Sequence, residues 1–166
     1  MPLYPDIEDD ICMHLRRVAD GERVKPIAIG RLTDDQHRTI AKLRLSVGLP
    51  GLDEPEILLL GRHMHRSRIV QDLYTIEDVL SQIRSALAET SIVHGAAKMT
   101  TVQSTVLRDD GYGAMVRDEA VLELYARKPR AELFSVIPKG DVSPAKRAKS
   151  QAQKKERPLE SGLKID

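Results

Sequence analysis

Residues 75–89, TIEDVLSQIRSALAE, constrain this chain more than any other stretch. Thr75 stands where a helix would begin and Asp78 answers it three residues on, the spacing of a capping box. Ile76, Val79, Leu80, Ile83 and Leu87 then fall at i, i+3, i+4, i+7 and i+11, on one face of an α-helix. Such an apolar face must be covered, and the residues that follow it carry strand signals. Residues 99–107, 120–127 and 132–137 read as strands, with RDDGYG at 108–113 and KPR at 128–130 as the turns between them.

The N-terminal half supplies further helices. Residues 5–19 read as a helix, with Pro5 in its first turn, acids before bases (His14, Arg16 and Arg17 at the end), and Gly21 to stop it. Residues 24–30 read as a strand, and Pro26 predicts that it lies at a sheet edge. Thr33 and Gln36 form a second capping box, opening a helix whose stripe is Ile40, Leu43 and Val47 and which Gly48 and Pro50 end. Residues 56–60, EILLL, are a buried strand or a short helix, because five residues carry too little periodicity to decide. The expected class is α+β: helices packed on an antiparallel sheet. The expected division is an N-terminal helical extension over 1–23, a compact domain over 24–140 and a basic flexible tail over 141–166.

Composition narrows the setting. Aromatics make up 3% of the chain, with one Phe and no Trp, so the core must be aliphatic. The single cysteine, Cys12, excludes an intrachain disulfide and CxxC zinc sites. Beside Ile11 it reads as a small core residue rather than a nucleophile, a usage that suits a reducing compartment. No apolar run approaches the ~20 residues of a membrane span, and the first ten residues hold four acids and no base, unlike a secretory leader. The expectation is a cytoplasmic protein without a membrane partner, or a virion part if it belongs to a phage.

Net charge is +1 but unevenly spread. Residues 139–166 hold eight Lys and Arg against four acids, and the rest of the chain holds 18 against 21. After Gly140 the apolar pattern ends, and the Lys-rich remainder cannot bury enough surface to order alone. The tail is therefore expected to be disordered or extended, and to order only on a partner. Lys146, Arg147, Lys149, Lys154 and Lys155 are its candidate nucleic-acid contacts, against the plainer reading of a solubilising tail.

The most unusual segment is 61–68, GRHMHRSR, with two His, three Arg and one Ser in eight residues. In an extended conformation His63, His65 and Ser67 face one side, and Arg62, Met64, Arg66 and Arg68 the other, unless a bend re-aims them. Imidazole is the side chain suited to moving protons near neutral pH, and guanidinium is the natural partner of a phosphate. Together they are the ingredients of metal-free phosphodiester cleavage. His63 and His65 are the acid–base candidates, with His65 preferred for its closeness to Ser67 and Arg68. Arg68 and Arg117 are the phosphate clamps, and Arg62, Arg66 and Lys98 are further nucleic-acid contacts. The bland alternative is a basic surface loop. A zinc site on His63 and His65 would need a third ligand, and His94, Asp72 and Glu77 stand at no recognisable spacing. Neither GxxxxGK[ST] nor GxGxxG occurs, which argues against nucleoside triphosphate and dinucleotide use. No cofactor is expected.

With GRHMHRSR followed by DLYTIEDVLSQI and then strands, residues 54–140 resemble the phage-associated branch of the barnase–EndoU–colicin–RelE-like nucleases. The resemblance implies a helix packed on a four-stranded antiparallel sheet, of which three strands are legible here, and metal-independent RNA cleavage of phage or toxin type. It implies nucleic acid as partner, RNA in preference to DNA. The alternative is a non-enzymatic phage or prophage protein whose basic arm docks on nucleic acid or on a neighbouring subunit.

Overall fold

Both capping boxes form, and each opens a helix that settles on the same sheet. The computed structural model describes residues 2–95, 99–123 and 129–140. In chain order the elements are α1 (Glu8–Ala19), β1 (Ile27–Arg31), α2 (Asp34–Ser46), β2 (Glu56–Leu59), α3 (Arg62–Met64) running on as a π-helix (His65–Gln71), α4 (Ile76–Ala86), β3 (Ile92–Gly95), β4 (Met99–Gln103), β5 (Arg108–Asp109), β6 (Met115–Glu123) and β7 (Ala131–Lys139). The α+β class stands, and among the described residues the sheet has seven strands in the order β1-β2-β7-β6-β4-β3, with β5 beside β6. One pair, β2 with β7, runs parallel, so the sheet is mixed rather than purely antiparallel. The chain reaches β7 from β2 through α3, α4 and the intervening strands, and a crossover that long permits a parallel neighbour.

Cross-strand rows show which face is covered. Val93, Val102, Ala120 and Val136 form one row, and Gly95, Thr100, Leu122 and Leu133 the next. Val102, Ala120 and Val136 are fully buried, and α4 lies over β6 and β7 with Val79, Leu80, Ile83 and Leu87 turned inward. The stripe read from sequence is thus the sheet-covering face. In α2, Leu43 reaches to within 3.0 Å of where a Gly95 Cβ would stand, so this helix covers the same face near β3. Its buried positions are Gln36, Ile40 and Arg44, however, while Val47 is exposed at the helix end. Arg44 takes Val47's expected place because its Nε donates to the Pro50 carbonyl (2.9 Å), closing the turn that ends the helix. Burial pushes the Arg44 pKa down from its ordinary value.

The N-terminal segment joins the core rather than standing apart. α1 begins at Glu8, so Pro5 precedes it, and Ile11, Leu15 and Val18 are buried. Leu3 bridges to Gly30, and a Cβ on Gly30 would stand 1.7 Å from the Pro2 carbonyl oxygen, an approach only glycine permits. β1 is an edge of the main strand order, as Pro26 predicts. Two strands of the C-terminal half go beyond the three read from sequence: β3, whose Ile92 and His94 are exposed, and the short β5, which falls where a turn is expected.

A buried polar stripe ties α4 to the 108–114 turn. Asp78 accepts from the Tyr112 hydroxyl (2.7 Å), and Asp110 accepts from the Tyr112 and Ala114 amides (2.8 and 3.1 Å). Asp118, fully buried on β6, takes a two-pronged bond from Arg108, including Nη2 to Oδ1 at 3.0 Å, and Ser85 donates to it as well. Burial pushes the Asp118 carboxyl up and these donors pull it back only in part.

Candidate functional site

The GRHMHRSR segment is helical, not extended, and this changes which side chains meet. Gly61 starts it in the left-handed region at φ +98°, where a Cβ would also crowd the His14 ring at 3.2 Å. His14 is buried, and its Nε2–H donates to the Leu60 carbonyl (2.9 Å), fixing the chain as it enters α3. Met64 is fully buried and anchors the helix to the core. Beyond it the turns widen, and the Asp72 amide bonds the Ser67 carbonyl five residues back (3.1 Å).

In a helix, residues four apart meet and residues two apart diverge by roughly 200°. His63 and Ser67 therefore pair, with His63 Nε2 3.1 Å from Ser67 Oγ. The His63 ring stacks on Phe134 of β7 at 4.2 Å between centroids and 22° between planes. Burial, followed by the nearby Arg66 and Arg68 charges, holds the His63 pKa below the ordinary histidine value. Arg68 Nη1 pairs with Asp72 Oδ2 at 3.0 Å, with both side chains largely shielded from solvent. His65 is half-buried, and Arg62 and Arg66 are exposed. The anticipated bend that would gather His65, Ser67 and Arg68 around one phosphate is therefore absent: Ser67 is on His63 and Arg68 is on Asp72.

No family model, curated protein or solved structure matches this chain.

Arg117 lies apart from this cluster. It is exposed on β6 opposite Lys139, five residues along β7 from Phe134, or about 16 Å at the usual strand rise. Of the sheet residues, Glu119, itself buried, pairs with Lys139 (3.0 Å) on the face away from α4, while Thr100 is turned into the core on the other. Lys98 and the tail cations Lys146, Arg147, Lys149, Lys154 and Lys155 lie outside the described residues. Among the described residues, no group of three or more His, Cys, Asp or Glu is arranged to hold a metal, and no helix is long and apolar enough to cross a membrane.

Sequence reasoning missed Phe134, and it missed the partners of two residues it named: Leu60 for His14, and Arg68 for Asp72, which it weighed only as a metal ligand. Phe134 had a signal: it is the one Phe of the chain, set in an aliphatic strand. Asp72 had one too, four residues beyond Arg68, once the segment is read as a helix. His14 had none, because its partner is a backbone carbonyl 46 residues away.

Three backbone irregularities converge on His63: the left-handed Gly61 two residues before it, the π-helix two residues after it, and a register shift in β7 at the residue on which it stacks. The π-helix and the bulge interrupt regular hydrogen bonding, and such features concentrate where a side chain must be aimed.

Proposed function

We propose that this protein is a small metal-independent nuclease acting on RNA, with His63 as its proton-accepting group. The observation that carries this reading is the fixed His63 imidazole, bonded to Ser67, stacked on Phe134 and flanked by Arg66 and Arg68. A lowered pKa leaves the ring neutral near pH 7, the form a general base requires. In the proposed step, the His63 ring takes the proton of a ribose 2′-hydroxyl, and the 2′-oxygen attacks the adjacent phosphorus. The P–O5′ bond breaks, leaving a 2′,3′-cyclic phosphate, and the departing 5′-oxygen takes a proton from water. Exposed Arg66 and Arg62 supply cations for the phosphate.

The test is incubation of the full chain with labelled RNA and single-stranded DNA, with and without EDTA. Cleavage of RNA that survives EDTA and falls by roughly 10²–10⁴ in His63→Ala supports the reading, the usual yield of general acid–base catalysis. A second reading, a non-enzymatic phage or nucleic-acid-associated protein, draws on the Arg68–Asp72 pair. An arginine neutralised within the fold contributes less to a phosphate clamp. Binding of RNA without cleavage under every condition would favour it.

A further inference from the structure

We propose that Phe134 is the positioning residue of this site, delivered by a bulge in β7 to lock the His63 imidazole in the one orientation that keeps Nε2 on the Ser67 hydroxyl. The inference rests on the reading of His63 as the acid–base group. Its geometry begins with the β6–β7 ladder. Val121 opposes Ser135 and Leu122 opposes Leu133, so Phe134 is the additional residue on β7. A bulge of this kind releases one side chain from the alternation of its strand and re-aims it. Leu133 keeps to the buried row on one side of the bulge and Val136 on the other, while Phe134 leaves both and meets the ring of His63.

An imidazole held by one hydrogen bond at its edge can still swing about the axis through that bond. A ring stacked on its face forbids the swing. Ser67 supplies the first constraint and Phe134 the second. With Nε2–H donating to the Ser67 oxygen, the ring proton of neutral His63 resides on Nε2, and Nδ1 keeps the lone pair that accepts a proton. The stacked ring also excludes water from one face of the imidazole, the direction in which burial acts on its pKa. Charges on the elements around it do not account for a role of Phe134. Arg66 and Arg68 belong to the His63 helix itself, and on β7 Glu132 lies 3.6 Å from Arg130 in an ion pair. Replacing Phe134 leaves all of these in place.

The experiment is nuclear magnetic resonance of the labelled full chain, reading the His63 ring nitrogens and protons across pH. In the wild type we expect the Nε2–H tautomer and His63 ring protons shifted upfield by the Phe134 ring current. Phe134→Tyr keeps the ring and should keep both signals. Phe134→Leu should give mixed tautomers and a titration midpoint raised toward about 6.5, the ordinary histidine value. The inference is overturned if Phe134→Leu leaves tautomer and midpoint unchanged, or if the wild-type ring carries its proton on Nδ1. The wild-type ring-current shift does not depend on any variant folding, and its absence would overturn the inference equally. Because none of these signals requires RNA, a protein that shows them all but leaves RNA intact retains the Phe134 role and loses the nuclease reading.

Discussion

At the scale of single residues, two ionisable groups are held away from their ordinary behaviour by opposite consequences of burial. His63 is shifted down, by burial first and by Arg66 and Arg68 next. Its folded pKa lies below its unfolded one, so below about pH 6.5 the unfolded chain binds the extra proton. The His63 contribution to stability is therefore present above that pH and is lost as pH falls through the folded value. Denaturant titrations at pH 7.5 and 5.5 should show a smaller pH difference in His63→Gln than in wild type. Any cleavage that depends on the neutral ring should fall over the same acidic range. Asp118 is the other case: it is fully buried, and Arg108 answers it with two bonds. Arg108→Ala leaves a buried carboxylate without its cation and should cost about 3–5 kcal/mol, read as a lower denaturation midpoint. Asp118→Asn combined with Arg108→Ala should recover part of that loss, because it removes the stranded charge.

At the scale of elements, α4 is where local and global preferences agree. Its Thr75 hydroxyl accepts the Asp78 amide at 3.0 Å and the Asp78 carboxylate accepts the Thr75 amide at 2.9 Å. Thr75→Ala should cost about 1 kcal/mol. Ile83→Ala, at a fully buried position, should cost about 2–5 kcal/mol through the cavity it opens. Equal losses from the two substitutions, measured by urea denaturation, would show that α4 does not cover the sheet as described. Elements like this one were legible in the sequence because cap and stripe lie within one window of residues. The strand at 56–59 was half legible, since its apolar run showed burial but not its parallel partner β7 some 75 residues later. The 61–68 segment was misread for a physical reason. Its charges and its single Met carry no periodic apolar pattern, and what makes it helical is tertiary: Met64 in the core, His14 on Leu60, and a glycine whose left-handed conformation only the fold requires. The site residues were thus recognised by type, while the pairing of His63 with Ser67 and Phe134 rather than of His65 with Arg68 depended on that helix.

At the scale of the whole molecule, the charge is divided between a body and a tail. The described strands and helices bury an aliphatic cluster running from Ile11 in α1 to Val136 in β7. Residues 141–166 hold seven Lys and Arg against four acids and offer no apolar periodicity of helix or strand. Removing them should leave the thermal midpoint within about 2 °C, because a loss of even 1 kcal/mol would shift a domain of this size by several degrees. Their contribution should appear in binding instead. Each phosphate neutralised by a Lys or Arg releases condensed counterion, so the logarithm of affinity for a single-stranded RNA falls with the logarithm of salt at a slope of about −0.7 per contact. If Lys146, Arg147, Lys149, Lys154 and Lys155 all bind phosphates, the truncated chain should have a slope shallower by about 3.5 than the full chain, measured by fluorescence anisotropy between 50 and 200 mM salt. At the low end of that range the full chain should bind far more tightly, and at the high end the two should converge. Equal slopes would assign the tail no contact with the nucleic acid. If truncation instead lowered the thermal midpoint by many degrees, the segment would have to be part of the folded body, contrary to its composition.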